Sequence, residues 1–91
     1  MDHVIAERRL LAKRGESLIP TSVVIFRPYL ENKMHVCRVH FDIDTMFDAY
    51  IRGSDEFSAI DCAIAYVESI CINSEDPEFY WIDGESMKGS S

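Results

Sequence analysis

The sequence predicts an α+β fold, in which one amphipathic helix packs on one face of a mainly antiparallel sheet of four to five strands. Three observations indicate this fold. Residues 54–73 carry apolar side chains at helical spacing, residues 35–43 and 46–52 alternate apolar and polar side chains, and short connections join these segments. The expected order of elements is β-β-β-β-α-β.

The helix is predicted over residues 54–73. Ser54 is the expected N-cap, because its hydroxyl can accept one of the amide protons that the first turn leaves unpaired. Asp55 and Glu56 then place negative charge at the positive end of the helix dipole. The apolar stripe expected to face the sheet consists of Phe57, Ile60, Ile64, Val67 and Cys71, broadened by Ala63 and Ile70.

Two strands are predicted in the first third of the chain. Residues 4–11 are interrupted by charged side chains, which favours an edge of the sheet for this strand and leaves a central position open. Residues 21–26 are β-branched on both faces, which favours a central position. Residues 13–16 and 29–33 are predicted to be turns.

Residues 35–43 and 46–52 are predicted to form an antiparallel hairpin that turns at Asp44-Thr45. Successive side chains of a strand point to opposite faces. The side chains expected to face the helix are Cys37, Val39, Phe41, Ile43, Phe47, Ala49 and Ile51, and those expected on the outer face are Arg38, His40, Asp42, Asp48, Tyr50 and Arg52. The outer face has no second helix to cover it.

A short aromatic strand, residues 79–82, is predicted to return to the sheet after the helix. The whole chain, residues 1–91, is expected to be one domain with an ordered core over residues 4–83. Residues 84–91 are small and polar and are predicted to be a flexible tail.

The net charge of −7 is uneven, since residues 1–38 sum to +3 and residues 39–91 sum to −10. An acidic surface repels phosphate backbones, so a nucleic-acid partner is not expected and a basic protein partner is favoured. Solubility alone is the alternative explanation of the charge.

The expected location is cytoplasmic, with no membrane association. No apolar run approaches the roughly 18 residues that a membrane span requires, and the first residues lack the apolar core of a signal peptide. Three cysteines cannot all pair, which is typical of a reduced compartment.

Catalytic and metal-binding patterns are weak. His35 and Cys37 point to one face of their strand and His40 to the other, so we expect no metal site. The four glycines are isolated and cannot form a phosphate-binding loop. Cys37 and Cys71 fall on buried faces, where a thiol is inert. The sequence therefore predicts no enzyme activity and no cofactor.

The remaining functional candidates are residues of a docking surface. They come from the acidic second half of the chain and from the outer sheet face, and aromatic and arginine side chains are enriched at interface hot spots. The predicted partner-binding residues are Asp42, Asp48, Tyr50, Arg52, Asp61, Glu68 and Trp81. For those on the sheet, a solvated face with cross-strand ion pairs is the alternative.

Four strings carry a resemblance to known proteins: residues 5–10 (IAERRL), 26–29 (FRPY), 37–39 (CRV) and 58–65 (SAIDCAIA). They resemble a family of small bacterial domains of unknown function, which have an arginine-rich first strand, an RPY-like end of the second strand, a CR strand and an alanine-rich helix. The resemblance covers residues 4–72. It implies a strand-rich fold with one main helix and no catalytic residue.

In size, charge and lack of an active-site pattern the chain is also similar to small acidic immunity proteins, which bind and block a toxin made by the same bacterium. The similarity implies a stoichiometric inhibitor of a basic protein. Two other hypotheses stay open. One is a homo-oligomeric adaptor, such as a homodimer formed through the outer sheet face or an edge strand. The other, less favoured, is a small-ligand binder or enzyme that uses His40, Tyr50 and Arg52.

Overall fold

The computed structural model of the protein describes residues 3–42, 47–85 and 87. Its elements are β1 (Val4–Arg14), β2 (Ser17–Phe26), β3 (Tyr29–Glu31), β4 (Met34–Asp42), β5 (Phe47–Gly53), α1 (Glu56–Asn73) and β6 (Phe79–Trp81). The predicted α+β fold is confirmed, since α1 packs on an antiparallel sheet. The described residues form six strands rather than four or five, because the segment predicted as a turn at residues 29–33 contains β3.

The strands β6, β1, β2 and β4 lie side by side in this order, and each pair is antiparallel. β4 pairs with β3 through its first residues and with β2 through its last ones. Its other edge pairs with β5. β1 is internal at residues 10–12, between β2 and β6, while residues 4–9 pair with β2 alone among the described strands. The two positions considered for the first strand therefore both occur within β1.

Two tight turns set the register of these hairpins. β1 and β2 run longer than predicted and leave only Gly15 and Glu16 between them, with Gly15 in the left-handed region at φ 62°. Asn32 and Lys33 join β3 to β4 with φ of 48° and 68°. Positive φ at both positions is the type I′ geometry that matches the twist of a hairpin.

The alternation predicted for β4 and β5 is confirmed over the described residues. Cys37, Val39 and Phe41 are at most 1% exposed and face the helix. The register of the two strands is antiparallel, with His40 opposite Asp48. The predicted turn at Asp44-Thr45 and the side chain of Ile43 lie outside the described residues.

Helix α1 begins one residue later than predicted. Asp55, not Ser54, is the N-cap: its backbone is extended and its carboxylate accepts the amide proton of Ser58 at 2.7 Å. A carboxylate at this position both caps an unpaired amide and lies at the positive end of the helix dipole. Asp55 therefore fills the role expected of Ser54.

The buried face of α1 also differs from the predicted stripe. It consists of Ala59, Ala63, Val67 and Cys71, with Ile60, Tyr66 and Ile70 partly buried beside them. Two of the large side chains assigned to the stripe are exposed instead, Phe57 at 85% and Ile64 at 47%. The prediction was wrong at these two positions because the helix faces the sheet with its small residues.

The small residues allow a close approach between α1 and the end of β5. An added Cβ at Gly53 would lie 2.7 Å from Ala59 Cα and 2.8 Å from the backbone carbon of Ser58. Ala59 and Ala63 are both fully buried and contribute little volume. The close contact fixes which side of α1 meets the sheet.

The rest of the core lies between α1 and the helix-facing side of the sheet. Leu10, Val23 and Phe79 contribute from the other strands, each at most 2% exposed. Met87 is 1% exposed and belongs to this core, although the sequence placed it in a flexible tail. Of the tail predicted over residues 84–91, residues 86 and 88–91 lie outside the described residues. No helix in the described part of the chain is long and apolar enough to cross a bilayer.

We expect Gly53→Ala to lower the free energy of unfolding by about 3 kcal/mol, the upper part of the range for overpacked positions. The new methyl group would meet the backbone of α1, which cannot rotate away as a side chain can. Gly15→Ala is the matched control, because an added Cβ there has no atom within 4 Å and only the positive φ opposes it. The control should cost about 1 kcal/mol. Urea unfolding measures both, and equal losses would contradict a close helix–sheet contact.

Candidate functional site

The seven predicted partner-binding residues do not form one surface. Four of them, Asp42, Asp48, Tyr50 and Arg52, belong to β4 and β5 and alternate with the buried residues of these strands, so they lie on the outer face of the sheet. Trp81 lies opposite Leu10 on the helix side, and Asp61 and Glu68 are on α1. The candidates therefore divide into a sheet group and a helix group on opposite sides of the molecule.

Asp48 is tied to its own sheet. Its Oδ1 accepts a hydrogen bond from Arg38 Nε at 3.0 Å and lies 2.9 Å from His40 Nδ1. These hydrogen bonds, first that of His40 and then that of Arg38, hold the pKa of the Asp48 carboxyl below its ordinary value. The carboxylate is therefore engaged within the protein before any partner arrives.

Other side chains of the outer face also pack on one another. The Arg38 guanidinium lies 4.5 Å from the centre of the Phe26 ring, a cation–π distance. Val36 is only 1% exposed although it lies outside the main core. Arg52 Nη1 lies 3.7 Å from Glu31 Oε1. This arrangement agrees with the alternative of a solvated sheet face with cross-strand ion pairs.

Tyr50 is the exposed large hydrophobic residue of the sheet group, at 55%. It lies on β5 directly opposite Arg38, and β5 pairs with no described strand other than β4. Asp42 is exposed at the end of β4, and its carbonyl accepts a hydrogen bond from the Thr21 hydroxyl. Of the sheet group, Tyr50 offers the largest apolar contact area.

Glu68 and Trp81 are brought together by Arg8. Arg8 Nη2 lies 2.6 Å from Glu68 Oε1, and the guanidinium is 5.0 Å from the centre of the Trp81 ring. The three side chains therefore connect β1, α1 and β6 on the helix side of the sheet. The sequence does not reveal this contact, because the three residues lie far apart in it.

The cysteines follow the predicted burial. Cys37 and Cys71 are buried, and desolvation raises the pKa of both thiols, with Arg8 partly opposing the rise at Cys71. Cys62 is exposed on α1. The two buried thiols are poor nucleophiles in this environment.

The exposed surface of α1 combines apolar and acidic residues that the sequence analysis did not assign to one site. Phe57 and Ile64 are exposed, and Ile60 and Asp61 lie between them along a shallow depression. Glu56 is exposed one residue before Phe57. In the sequence, this surface is indicated only by the width of the apolar stripe. The stripe is too wide to be buried completely by a helix that contacts the sheet through alanines.

Metal-ligating side chains do not converge in the described part of the chain. Among residues 3–42, 47–85 and 87, no group of three or more His, Cys, Asp or Glu side chains is placed to hold a metal ion. Cys37 is buried under α1, whereas His40 lies on the outer face beside Asp48. The surface of α1 is left as the strongest candidate site.

Comparisons with known proteins find no match: no family model, no curated protein and no solved structure matches the chain. The resemblance of residues 4–72 to a family of small bacterial domains therefore stays a prediction.

We expect Asp48→Asn to lower the free energy of unfolding at pH 7 by about 0.5 kcal/mol, within the range for partly exposed ion pairs. The folded state holds the Asp48 pKa below its unfolded value, so this stabilisation is present above the unfolded pKa and is lost as the pH falls through the folded pKa. Wild type and variant should therefore differ fully above the ordinary carboxyl pKa of about 3.9 and converge progressively at more acidic pH.

Urea unfolding of both proteins between neutral and acidic pH measures this difference. Asp61→Asn is the matched control, because it removes the same charge from an exposed position on α1. A difference between Asp48→Asn and wild type that stayed constant with pH would show that the carboxylate does not stabilise the sheet through its charge.

Proposed function

We propose that this protein is a non-catalytic, acidic binding protein of the immunity type, which blocks a basic bacterial toxin or effector by stoichiometric binding. The observation that carries the proposal is the exposure of Phe57 and Ile64 on a helix whose neighbouring exposed residues are acidic. A contiguous exposed apolar patch that is rimmed by polar residues is typical of a protein interaction site.

The charge distribution supports the same proposal. The negative net charge falls in residues 39–91, which include all of α1. Asp48 and Glu68 are engaged in internal ion pairs, whereas Glu56 and Asp61 are exposed beside the apolar residues of α1. Charges around an apolar contact speed the encounter with an oppositely charged partner, while the buried apolar side chains slow its dissociation.

The first test is affinity capture of the tagged protein from a lysate of its own cells. We expect one basic protein in a one-to-one complex, toxic when expressed alone and harmless when both are expressed together. A captured protein whose toxicity is not relieved by coexpression, or recovery of this protein alone, would contradict the immunity proposal.

The captured partner then allows a kinetic test of the acidic helix. We expect Asp61→Lys to slow association by about tenfold at low salt, because it reverses an exposed charge beside the apolar residues. Glu16→Lys is the control, since it makes the same change in the β1–β2 turn. Surface plasmon resonance at several salt concentrations measures both rates. Equal effects of the two variants would mean that net charge, rather than this surface, guides the partner.

A homo-oligomeric adaptor is the second candidate, favoured by the exposed ring of Tyr50 beside the edge of β5 that pairs with no described strand. Two copies could pair through this edge, since an edge strand offers unpaired backbone groups. For this candidate we expect a dimer in sedimentation at micromolar concentration that Tyr50→Glu converts to a monomer. A wild-type monomer at that concentration would reject it.

A further inference from the structure

A groove runs between α1 and the first two strands on the helix side of the sheet. It has a volume of about 250 Å³, and its walls include Ala6, Val23 and Ile25 from the strands and Ile64 and Val67 from the helix. Typical small-molecule sites measure about 300–1,000 Å³. The groove is therefore better matched in size to one or two side chains of another protein than to a drug-sized ligand.

The groove exists because α1 does not lie over the middle of the sheet. The helix contacts β4 and β5, and its close approach at Gly53 holds it there. Beyond residues 10–12, β6 does not continue along β1, since the chain turns away after Trp81 through hydrogen bonds to Glu85 and Gly84. The helix side of β1 around Ala6 is left without a covering element among the described residues.

The groove is continuous with the exposed apolar surface of α1. Ile64 lines both the groove and the shallow depression that contains Phe57 and Ile60. The result is one apolar strip that begins at Phe57, passes Ile64 and ends between the helix and β1. Two of its members, Phe57 and Ile64, are large and exposed.

The edges of this strip are acidic. Glu68 borders the groove, Asp61 borders the depression, and Glu56 is exposed beside Phe57. Arg8 is the one basic side chain among the groove residues, and its guanidinium already faces Glu68 at 2.6 Å and Trp81. The surroundings of the strip therefore favour a partner with positive charge beside its apolar side chains.

We infer that the groove between α1 and β1 receives an apolar anchor side chain from a basic segment of the partner, with lysines or arginines facing Glu56 and Asp61. The inference rests on the proposed function, since it names the surface and the partner chemistry of that binding. A second copy of this chain is disfavoured as occupant. A two-fold axis would place the same acidic strip on both sides of the interface, where like charges repel.

The test uses a short lysine- and serine-rich peptide with a central leucine-phenylalanine pair, titrated into the isotope-labelled protein. We expect backbone amide shifts in NMR spectra at Ala6, Ile64 and Val67. Ile64→Lys should raise the dissociation constant of the peptide at least about tenfold, as the loss of one anchor contact does. Ala65→Lys is the matched control, because it adds the same charge at the next exposed position of α1 and should change the constant less than about twofold.

Ala6→Trp, which fills the groove without changing charge, should weaken binding as Ile64→Lys does. Peptides that carry glutamates in place of the lysines, or serines in place of the leucine-phenylalanine pair, should not shift these amides. Shifts confined to Tyr50 and its neighbours, equal effects of Ile64→Lys and Ala65→Lys, or no shift with any peptide would overturn the inference.

The experiments distinguish an error in the groove inference from an error in the proposed function. If a toxic basic partner is captured and neutralised but binds Ile64→Lys and Ala6→Trp as tightly as wild type, the groove inference is wrong and the function stands. If the peptide binds in the groove and no such partner exists, the surface is correct and the immunity role is wrong.

Discussion

The close contact of α1 with the end of β5 is the constraint on which the rest of the structure depends. Gly53 leaves no space for a side chain against Ala59, and the helix meets the sheet through small residues. The contact holds the helix over β4 and β5 and turns two of its large side chains, Phe57 and Ile64, toward solvent. Exposure of Phe57 and Ile64 is thus a direct result of tight packing elsewhere.

The elements that the sequence predicted well are those whose signal is local. Alternation along β4 and β5 has a period of two and a single buried face, so Cys37, Val39 and Phe41 could be assigned to the core before the structure was known. The bounds of the helix were predicted within two residues, but the rotation of the helix about its own axis was not predicted. A stripe of large apolar residues shows that a helix is amphipathic; it does not show that alanines make the closest contact.

The candidate site was less accessible to prediction because it depends on contacts between distant segments. Glu68 and Trp81 were predicted to bind a partner, and in the structure Arg8 of β1 forms an ion pair with Glu68 and a cation–π contact with Trp81. Asp48 looked like an exposed acid, yet Arg38 and His40 engage it across the hairpin. Of the four predicted acids, Asp48 and Glu68 are paired within the protein, which leaves Asp42 at the end of β4 and Asp61 beside the apolar residues of α1. A charge count along the sequence does not distinguish paired from exposed acids.

The two walls of the groove, the strand β1 and the helix α1, differ in local stability. The backbone of residues 4–9 pairs with β2 alone among the described strands, and Arg8 adds a side-chain contact to Glu68 and Trp81. Helix α1 is anchored along its whole buried face. Segments held on one side open locally at a lower free energy than the whole domain unfolds. Amide exchange in this half of β1 should thus be faster than in β4, and a partner that binds only the closed strand would slow it. Occupancy of the groove and order in the first strand are then thermodynamically linked.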